Sequence, residues 1–227
     1  MRKGDFLWIA LILGVVAFLY FPATNKVFVA TTAAHPFMMA FIKYFILATM
    51  GELLGRRIIF GKWSRPVGLL ARMAVWGLIG MAIMFMFDIF AIGVKGILDK
   101  GLLPGNGINL WTALLTSSVS VYGFGPAFML FHRFTDTYID VRFGPEKRSA
   151  SLKELIALID WDNLVSFVYM KTLPYFWIGA NTITFLMPGE YRIICAAFMS
   201  IFLGLILSTA SKLKARAKTP KTNTAHA

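Results

Sequence analysis

The sequence predicts an all-α protein, a polytopic integral membrane bundle of about six transmembrane helices with both termini in the cytoplasm. Three observations lead to this fold class: the length of the apolar segments, their continuous apolar character, and the placement of basic residues between them. About 20 apolar residues cross a bilayer core as a helix, and only helices or closed barrels satisfy every backbone polar group in lipid. The segments lack the alternation of barrel strands. Six spanning helices are therefore predicted, at 6–23, 36–54, 67–97, 109–132, 163–187 and 191–211.

Basic residues give the predicted bundle its orientation. The chain has 227 residues and a formal net charge of +12. With the N-terminus inside, sixteen Lys and Arg residues fall in inner segments and four in outer loops, as the positive-inside rule describes. Because these residues cluster at helix ends rather than on one soluble face, nucleic acid is not an expected partner. The expected partner is the bilayer, with its anionic headgroups at the inner face.

The first three helices have recognisable boundaries. Arg2 and Lys3 precede an apolar run that is too long for a cleaved signal, and this helix is predicted to end at Pro22. Residues 23–35 are predicted to form a short outer loop. Pro36 suits the first turn of the second helix, as Pro66 suits the approach to the third.

The second half contains the sizeable hydrophilic connection. The fourth helix starts near Asn109 and leads into residues 134–162, where Ser151 followed by Glu154 predicts a capped short helix at the interface. The fifth and sixth helices are joined by a tight turn at Pro188–Gly189. Residues 1–211 thus form one transmembrane domain, and residues 212–227 are predicted to be a basic, disordered cytoplasmic tail.

Two charged side chains are predicted at membrane depth on neighbouring helices. Lys43 and Asp88 lie at similar distances from the outer ends of their helices. Charged groups are costly in lipid, so an interhelical pair is predicted, either as a structural contact or as part of a water-filled lining. Lys95 lies two turns from Asp88 and competes for the same carboxylate.

A second polar group is predicted at the inner half of the bundle. Four residues on different helices share a similar depth there: Glu52, Arg72, His132 and Lys171. They either cluster at an inner mouth or extend separately to the interface.

Hydroxyl and amide side chains line one stretch of the fourth and fifth helices. Ser117, Ser120 and Asn181 are candidates for a polar seam with Lys43 and Asp88. Close helix packing is the alternative role for these small polar residues. If the seam conducts, Asp88→Asn is expected to alter ion selectivity.

Catalytic and metal-binding signatures are not found. The sequence has no HExxH, no G-x-S-x-G and no phosphate-binding glycine loop, and Cys195 alone cannot form a metal site. No cofactor and no enzymatic activity are expected. A membrane enzyme would require His132, Glu52 and Asp136 to converge on one pocket.

Two stretches resemble a known family. The first is Tyr122–Gly123–Phe124–Gly125–Pro126 followed by Asp136; the second runs from Lys171 through Pro174 to Pro188 and Arg192. They resemble the family of the 22-kilodalton peroxisomal membrane protein and its mitochondrial relative Mpv-seventeen. Departures include Leu173 where the family has Trp. Members are described with four spanning helices, so six would be a further departure.

The resemblance implies a small membrane protein linked to solute passage and membrane homeostasis. The sequence therefore predicts a channel or permeability factor for small solutes or ions, with a non-transporting scaffold or assembly partner as the alternative. In the absence of a recognisable organellar signal, the expected location is a plasma membrane, with an organellar membrane as the alternative. Homo-oligomerisation is left open.

Overall fold

The described part of the chain is helical throughout. The structure is a computed structural model that describes residues 2–218, with side chains for residues 2–213. Eight α-helices and one π-helix follow one another within this range: α1 (Lys3–Tyr20), α2 (Pro22–Ala34), α3 (Pro36–Phe60), α4 (Leu69–Asp99), α5 (Asn109–Phe143), α6 (Leu152–Leu158), the π-helix (Asn163–Trp177), α7 (Ile178–Leu186) and α8 (Gly189–Lys218). The predicted all-α membrane bundle is confirmed.

Five helices in the described residues are long and apolar enough to cross a membrane, judged by length and composition: α1, α3, α4, α5 and α8. The remaining predicted span, 163–187, is formed by the π-helix and α7 in succession. At their junction the Ile178 N–H donates to the Leu173 carbonyl, five residues back, instead of four. Because this hydrogen-bonding pattern is wider than that of an α-helix, successive side chains project in different directions than they would on an α-helix.

The predicted outer loop at 23–35 is wrong, because these residues form α2. Its polar composition suggested a loop, yet Pro22 occupies the first helical position, where it needs no N–H partner. The Thr24 hydroxyl and the Asn25 amide donate to the carbonyls of Phe18 and Leu19 at 2.6 and 2.7 Å. These bonds satisfy carbonyls at the end of α1, so the polar residues serve the junction between two helices.

Two other helix ends differ from the predicted ones. The α5 helix continues to Phe143, well past residue 132, and α8 continues to Lys218 where a disordered tail was predicted from residue 212. Residues 219–227 of that tail lie outside the described part. The short capped helix is confirmed as α6, where the Ser151 hydroxyl accepts from the Glu154 N–H at 3.3 Å.

Helix α3 lies at the centre of the packing, between α8 and α4. Its glycines and those of α4 permit the close approach: a Cβ on Gly51 would lie 3.2 Å from the Ile201 backbone, and one on Gly80 would lie 2.6 Å from the Ala40 carbonyl. Small residues at helix crossings bring two backbones together in membrane bundles. These contacts fix the helices that surround the site described below.

The two described ends of the chain lie at the same end of the bundle. Asp5, at the start of α1, pairs with Arg57 near the end of α3 at 2.8 Å. Gly55 on α3 faces Ser208 near the end of α8. We call this the basic end, since it carries the 61–68 and 144–151 connections, and we call the other the opposite end.

Candidate functional site

An elongated internal cavity of about 530 Å³ runs along the bundle axis. On α3 its lining extends from Tyr44 to Ile59, about 22 Å at 1.5 Å per residue. The walls come from α3, α4, α5, the π-helix, α7 and α8. Its volume lies within the range of about 300–1,000 Å³ typical of small-molecule sites.

A charged cluster lies at the basic end of this cavity and is organised around Arg72. The Arg72 guanidinium contacts Asp136 at 2.7 Å, Asp140 at 2.6 Å and Glu52 at 3.6 Å, while its Nε donates to the Val67 carbonyl at 3.0 Å. The side chain of Arg72 is only 8% exposed. A single buried cation therefore contacts three carboxylates from two helices.

His132 belongs to the same cluster. Its Nδ1 lies 3.2 Å from Asp136 one helical turn later, and its ring packs edge-on against Trp76 with centroids 4.2 Å apart. The Trp76 indole N–H donates to Glu52 at 3.4 Å. The structure thus brings Glu52, Arg72 and His132 together. This is the first of the two predicted arrangements, a cluster at the inner mouth.

Lys171, the fourth predicted member of this cluster, lies elsewhere. Its side chain is exposed on the π-helix and does not line the cavity. The depth estimate assumed α-helical geometry, and the π-helix turns its side chains to different directions. Asp140 and Trp76 belong to the cluster instead. Sequence reasoning missed Asp140 because the fourth helix was predicted to end at residue 132, and it missed Trp76 because only charged residues and histidine were considered at this depth.

The predicted pair between Lys43 and Asp88 is not formed. Lys43 is 5% exposed, and its ammonium donates to the Thr32 hydroxyl at 3.1 Å and to the Glu190 carbonyl at 3.3 Å. It also lies 4.4 Å from the Phe28 ring centroid, so α2 and α8 supply its partners. Asp88 is exposed on α4.

Lys95, the predicted competitor for Asp88, also has another partner. It pairs with Asp99 one turn further along α4, at 2.7 Å. The charged members of the proposed seam, Lys43 and Asp88, therefore do not line the cavity.

The predicted polar residues of the seam separate into two groups. Ser117 is fully buried, and its hydroxyl donates to the Ile178 carbonyl at 2.6 Å, which joins α5 to α7. Ser120 and Asn181 line the cavity near the opposite end from the charged cluster. Only these last two have the position that a lining role requires.

The family-motif residues are spread over two regions. Gly125 and Asp136 line the cavity; a Cβ on Gly125 would lie 3.2 Å from the Leu173 side chain, so this glycine permits α5 to approach the π-helix. The Pro126 carbonyl accepts from the Tyr169 hydroxyl at 2.7 Å. Pro174 lies inside the π-helix.

The other two motif residues lie at the opposite end. Pro188 precedes α8, and its carbonyl accepts from the Tyr191 N–H at 3.0 Å. The Arg192 Nε donates to the Met187 carbonyl at 3.2 Å, and its guanidinium lies 5.7 Å from the Phe185 ring centroid. These contacts hold the turn between α7 and α8.

Three residues that line the cavity carry a buried polar atom without a partner among the described residues. One is the Nε of Arg56 near the basic end, and the other two lie deeper in the cavity. The two deeper atoms are the indole N–H of Trp177 and the amide oxygen of Asn181. The two residues are 9% and 7% exposed and stand four positions apart at the start of α7, so they share one helix face. A buried polar atom without a partner costs about 1–3 kcal/mol.

An aromatic pair lies at the end of the cavity away from the charged cluster. Phe87 lines the cavity and packs against Phe185, with ring centroids 4.7 Å apart. The lining residues extend from the charged cluster to this ring pair. The cavity therefore extends from the charged cluster at the basic end to the aromatic side chain of Phe87.

Glu52, His132 and Asp136 converge on this one cavity, which is the geometric condition for a membrane enzyme. Asp136 is placed to orient the His132 imidazole, as in a general-base pair. Within the described residues no serine, threonine or cysteine side chain hydrogen-bonds to that imidazole, and no cluster of three or more metal-binding side chains is found. The geometry supplies a base and its orienting group.

The chain was compared with family models, curated proteins and solved structures, and none of the three comparisons gives a match.

Proposed function

We propose that this integral membrane protein is a permeability factor, which admits small solutes from the basic end into its internal cavity. The observation that supports this proposal best is the cavity itself, an elongated space inside a helix bundle with charged groups at one end and a mostly apolar interior. Internal spaces between helices are common sites for small molecules. Solutes that enter from the basic end meet the Arg72 cluster first.

Passage through the whole bundle requires movement of two aromatic rings. Phe87 lines the cavity and packs against Phe185, and in this proposal the two rings form the constriction toward the opposite end. An apolar constriction of this kind gates by excluding water. The proposed function therefore includes a gate at Phe87, and transport needs the two rings to separate.

The proposed passage differs from the seam that the sequence suggested. Ser120 and Asn181 remain in the proposed lining, whereas Lys43, Asp88 and Ser117 do not take part. The resemblance to the peroxisomal and mitochondrial family is consistent with solute passage, and membership remains a prediction. We propose a plasma membrane as the location on the same sequence grounds as before.

The experiment compares two glycine substitutions in liposomes of purified protein. Gly55 lines the cavity near the basic end, and a Cβ there would have only Ser208 in contact, at 4.0 Å. We expect Gly55→Phe to fill the mouth and to reduce the uptake of small neutral solutes, measured by stopped-flow light scattering. Gly93→Phe is the matched control, because Gly93 has open space around it and lies away from the cavity.

Equal uptake by the two variants and the wild type would contradict the proposal. Wild-type uptake no faster than that of empty liposomes would contradict it as well. Reduced uptake in Gly55→Phe alone supports it.

A second candidate function, a scaffold for other membrane proteins, is favoured by the position of Asp88. This carboxylate is exposed among the apolar side chains Phe85 and Ile92, which are 53% and 74% exposed. A charged group facing lipid is unfavourable, and a polar group on a partner helix would relieve that cost. Wild-type protein that forms a stable complex through this face, without solute uptake, would support the scaffold.

A further inference from the structure

The polar pair at the start of α7 has the geometry of a recognition site. Trp177 ends the π-helix and Asn181 lies four positions later, and both line the cavity far from its charged mouth. The change from π-helical to α-helical hydrogen bonding occurs between them. Such changes within a helix are frequent at functional sites.

The two polar atoms are complementary to one kind of group. The indole N–H of Trp177 is a donor only, and the Asn181 amide oxygen is an acceptor. Both are buried and have no partner among the described residues. A hydroxyl group carries the complement of each, since its oxygen is an acceptor for Trp177 and its hydrogen is a donor for Asn181.

The surrounding side chains exclude ions from this position. Val121 and Leu173 are each 3% exposed and pack against Trp177 in one apolar cluster. The ionised groups of the cavity lie at the basic end, around Arg72. A charged ligand at Trp177 would lose its hydration without gaining a counter-ion.

We propose that Trp177 and Asn181 bind the hydroxyl group of a small neutral alcohol, whose apolar part packs against Val121 and Leu173. This inference rests on the proposed function and names its substrate class. The same two atoms also fit one fixed water molecule, or a direct hydrogen bond between the two side chains. The experiment has to separate these cases.

The test uses the full chain in lipid nanodiscs, labelled with 5-fluorotryptophan and observed by ¹⁹F NMR. The Trp177 signal is assigned by its loss in Trp177→Phe. The probes are 1-butanol and its isomer methyl propyl ether, which has the same atoms but no hydroxyl donor. We expect 1-butanol to shift the Trp177 signal saturably at about tenfold lower concentration than the ether, while the other tryptophan signals report unspecific partitioning into lipid.

A pair of asparagine substitutions provides the control. Asn181→Leu keeps the size of the side chain and removes the acceptor, so the difference between the two probes should disappear. Asn109→Leu makes the same exchange at an exposed position at the start of α5 and should retain the difference.

Each outcome decides the matter. Equal binding of the two probes, or a Trp177 signal that neither probe moves, overturns the inference in favour of a fixed water or a direct contact. Because binding is measured without transport, a saturable alcohol-selective shift in protein that gives no solute uptake overturns the proposed function alone and leaves this inference standing.

Discussion

Replacing Arg72 by Met tests whether the charged cluster holds the basic end of the bundle together. Met keeps much of the side-chain volume and removes the cation, which leaves Glu52 and Asp136 without it. Their side chains are 21% and 23% exposed, whereas Asp140 is 62% exposed. Removing one partner of a buried ion pair costs about 3–5 kcal/mol, and the contact with the exposed Asp140 adds less than about 1 kcal/mol.

The assay is thermal unfolding of the purified protein in one detergent. For a chain of this size a loss of 1 kcal/mol lowers Tm by about 2–4 °C, so the expected fall is roughly 10 °C. Adding Asp136→Asn to Arg72→Met should restore part of that loss, because one uncompensated carboxylate is removed. The matched control is Arg148→Met, since the partners of Arg148 are solvent-exposed surface acids.

A Tm within about 2 °C of the wild-type value for Arg72→Met would refute this reasoning. It would mean that the carboxylates reach water or other cations without cost. A double variant less stable than Arg72→Met would refute the pairwise account as well.

Three further predictions concern other parts of the molecule. Gly51→Leu should destabilise the protein by about 1–3 kcal/mol in chemical unfolding, because the added side chain meets the Ile201 backbone. Asp88→Leu should raise the unfolding free energy by up to about 2.5 kcal/mol, since a lipid-facing charge is removed. The hydrogen bond from Arg148 lowers the pKa of Glu154 below its ordinary value of 4.5. The Glu154 contact should therefore be complete above pH 4.5 and be lost as the pH falls through that lowered pKa, as followed by NMR of the Glu154 carboxyl carbon.

Each of these predictions has a clear counter-result. Gly14→Leu, at a position with open space, should leave stability unchanged, and equal stability of the two glycine variants would contradict the close packing of α3 on α8. Unfolding of Asp88→Leu at lower denaturant than wild type would show that the carboxylate has a stabilising partner. A Glu154 titration midpoint at or above 4.5 would contradict the contact with Arg148.

The helical architecture could be predicted from the sequence because a backbone that crosses lipid must satisfy its own hydrogen bonds. Continuous apolar runs of sufficient length must be helices, and all six predicted spans are helical in the structure. Most of the Arg72 cluster could also be predicted from the sequence. Charged residues at the same membrane depth on separate helices have few other polar groups with which to pair. Of the three companions predicted for Arg72, Lys171 is the one that the structure places elsewhere, because its direction depends on the helical geometry of residues 163–177.

What sequence reasoning missed depends on local geometry. The partners of Lys43 come from α2, a helix whose polar composition resembles a loop. Lys171 lies outside the cluster because the π-helix directs its side chains differently from an α-helix. The role of Trp177 could not be predicted from the sequence, since only the surrounding structure shows that its indole N–H has no hydrogen-bond partner.

The attachment of α1 has a consequence for how the protein is assembled. No residue of α1 is buried. Its end is hydrogen-bonded to the adjoining α2, and its other polar contacts lie near its start, where Asp5 accepts from Arg57 and Trp63 and the Trp8 indole N–H donates to the Met50 carbonyl. The cavity walls are complete without it. During membrane insertion this first helix can therefore enter the lipid independently and join the helix bundle afterwards, through the four hydrogen bonds of Asp5 and Trp8.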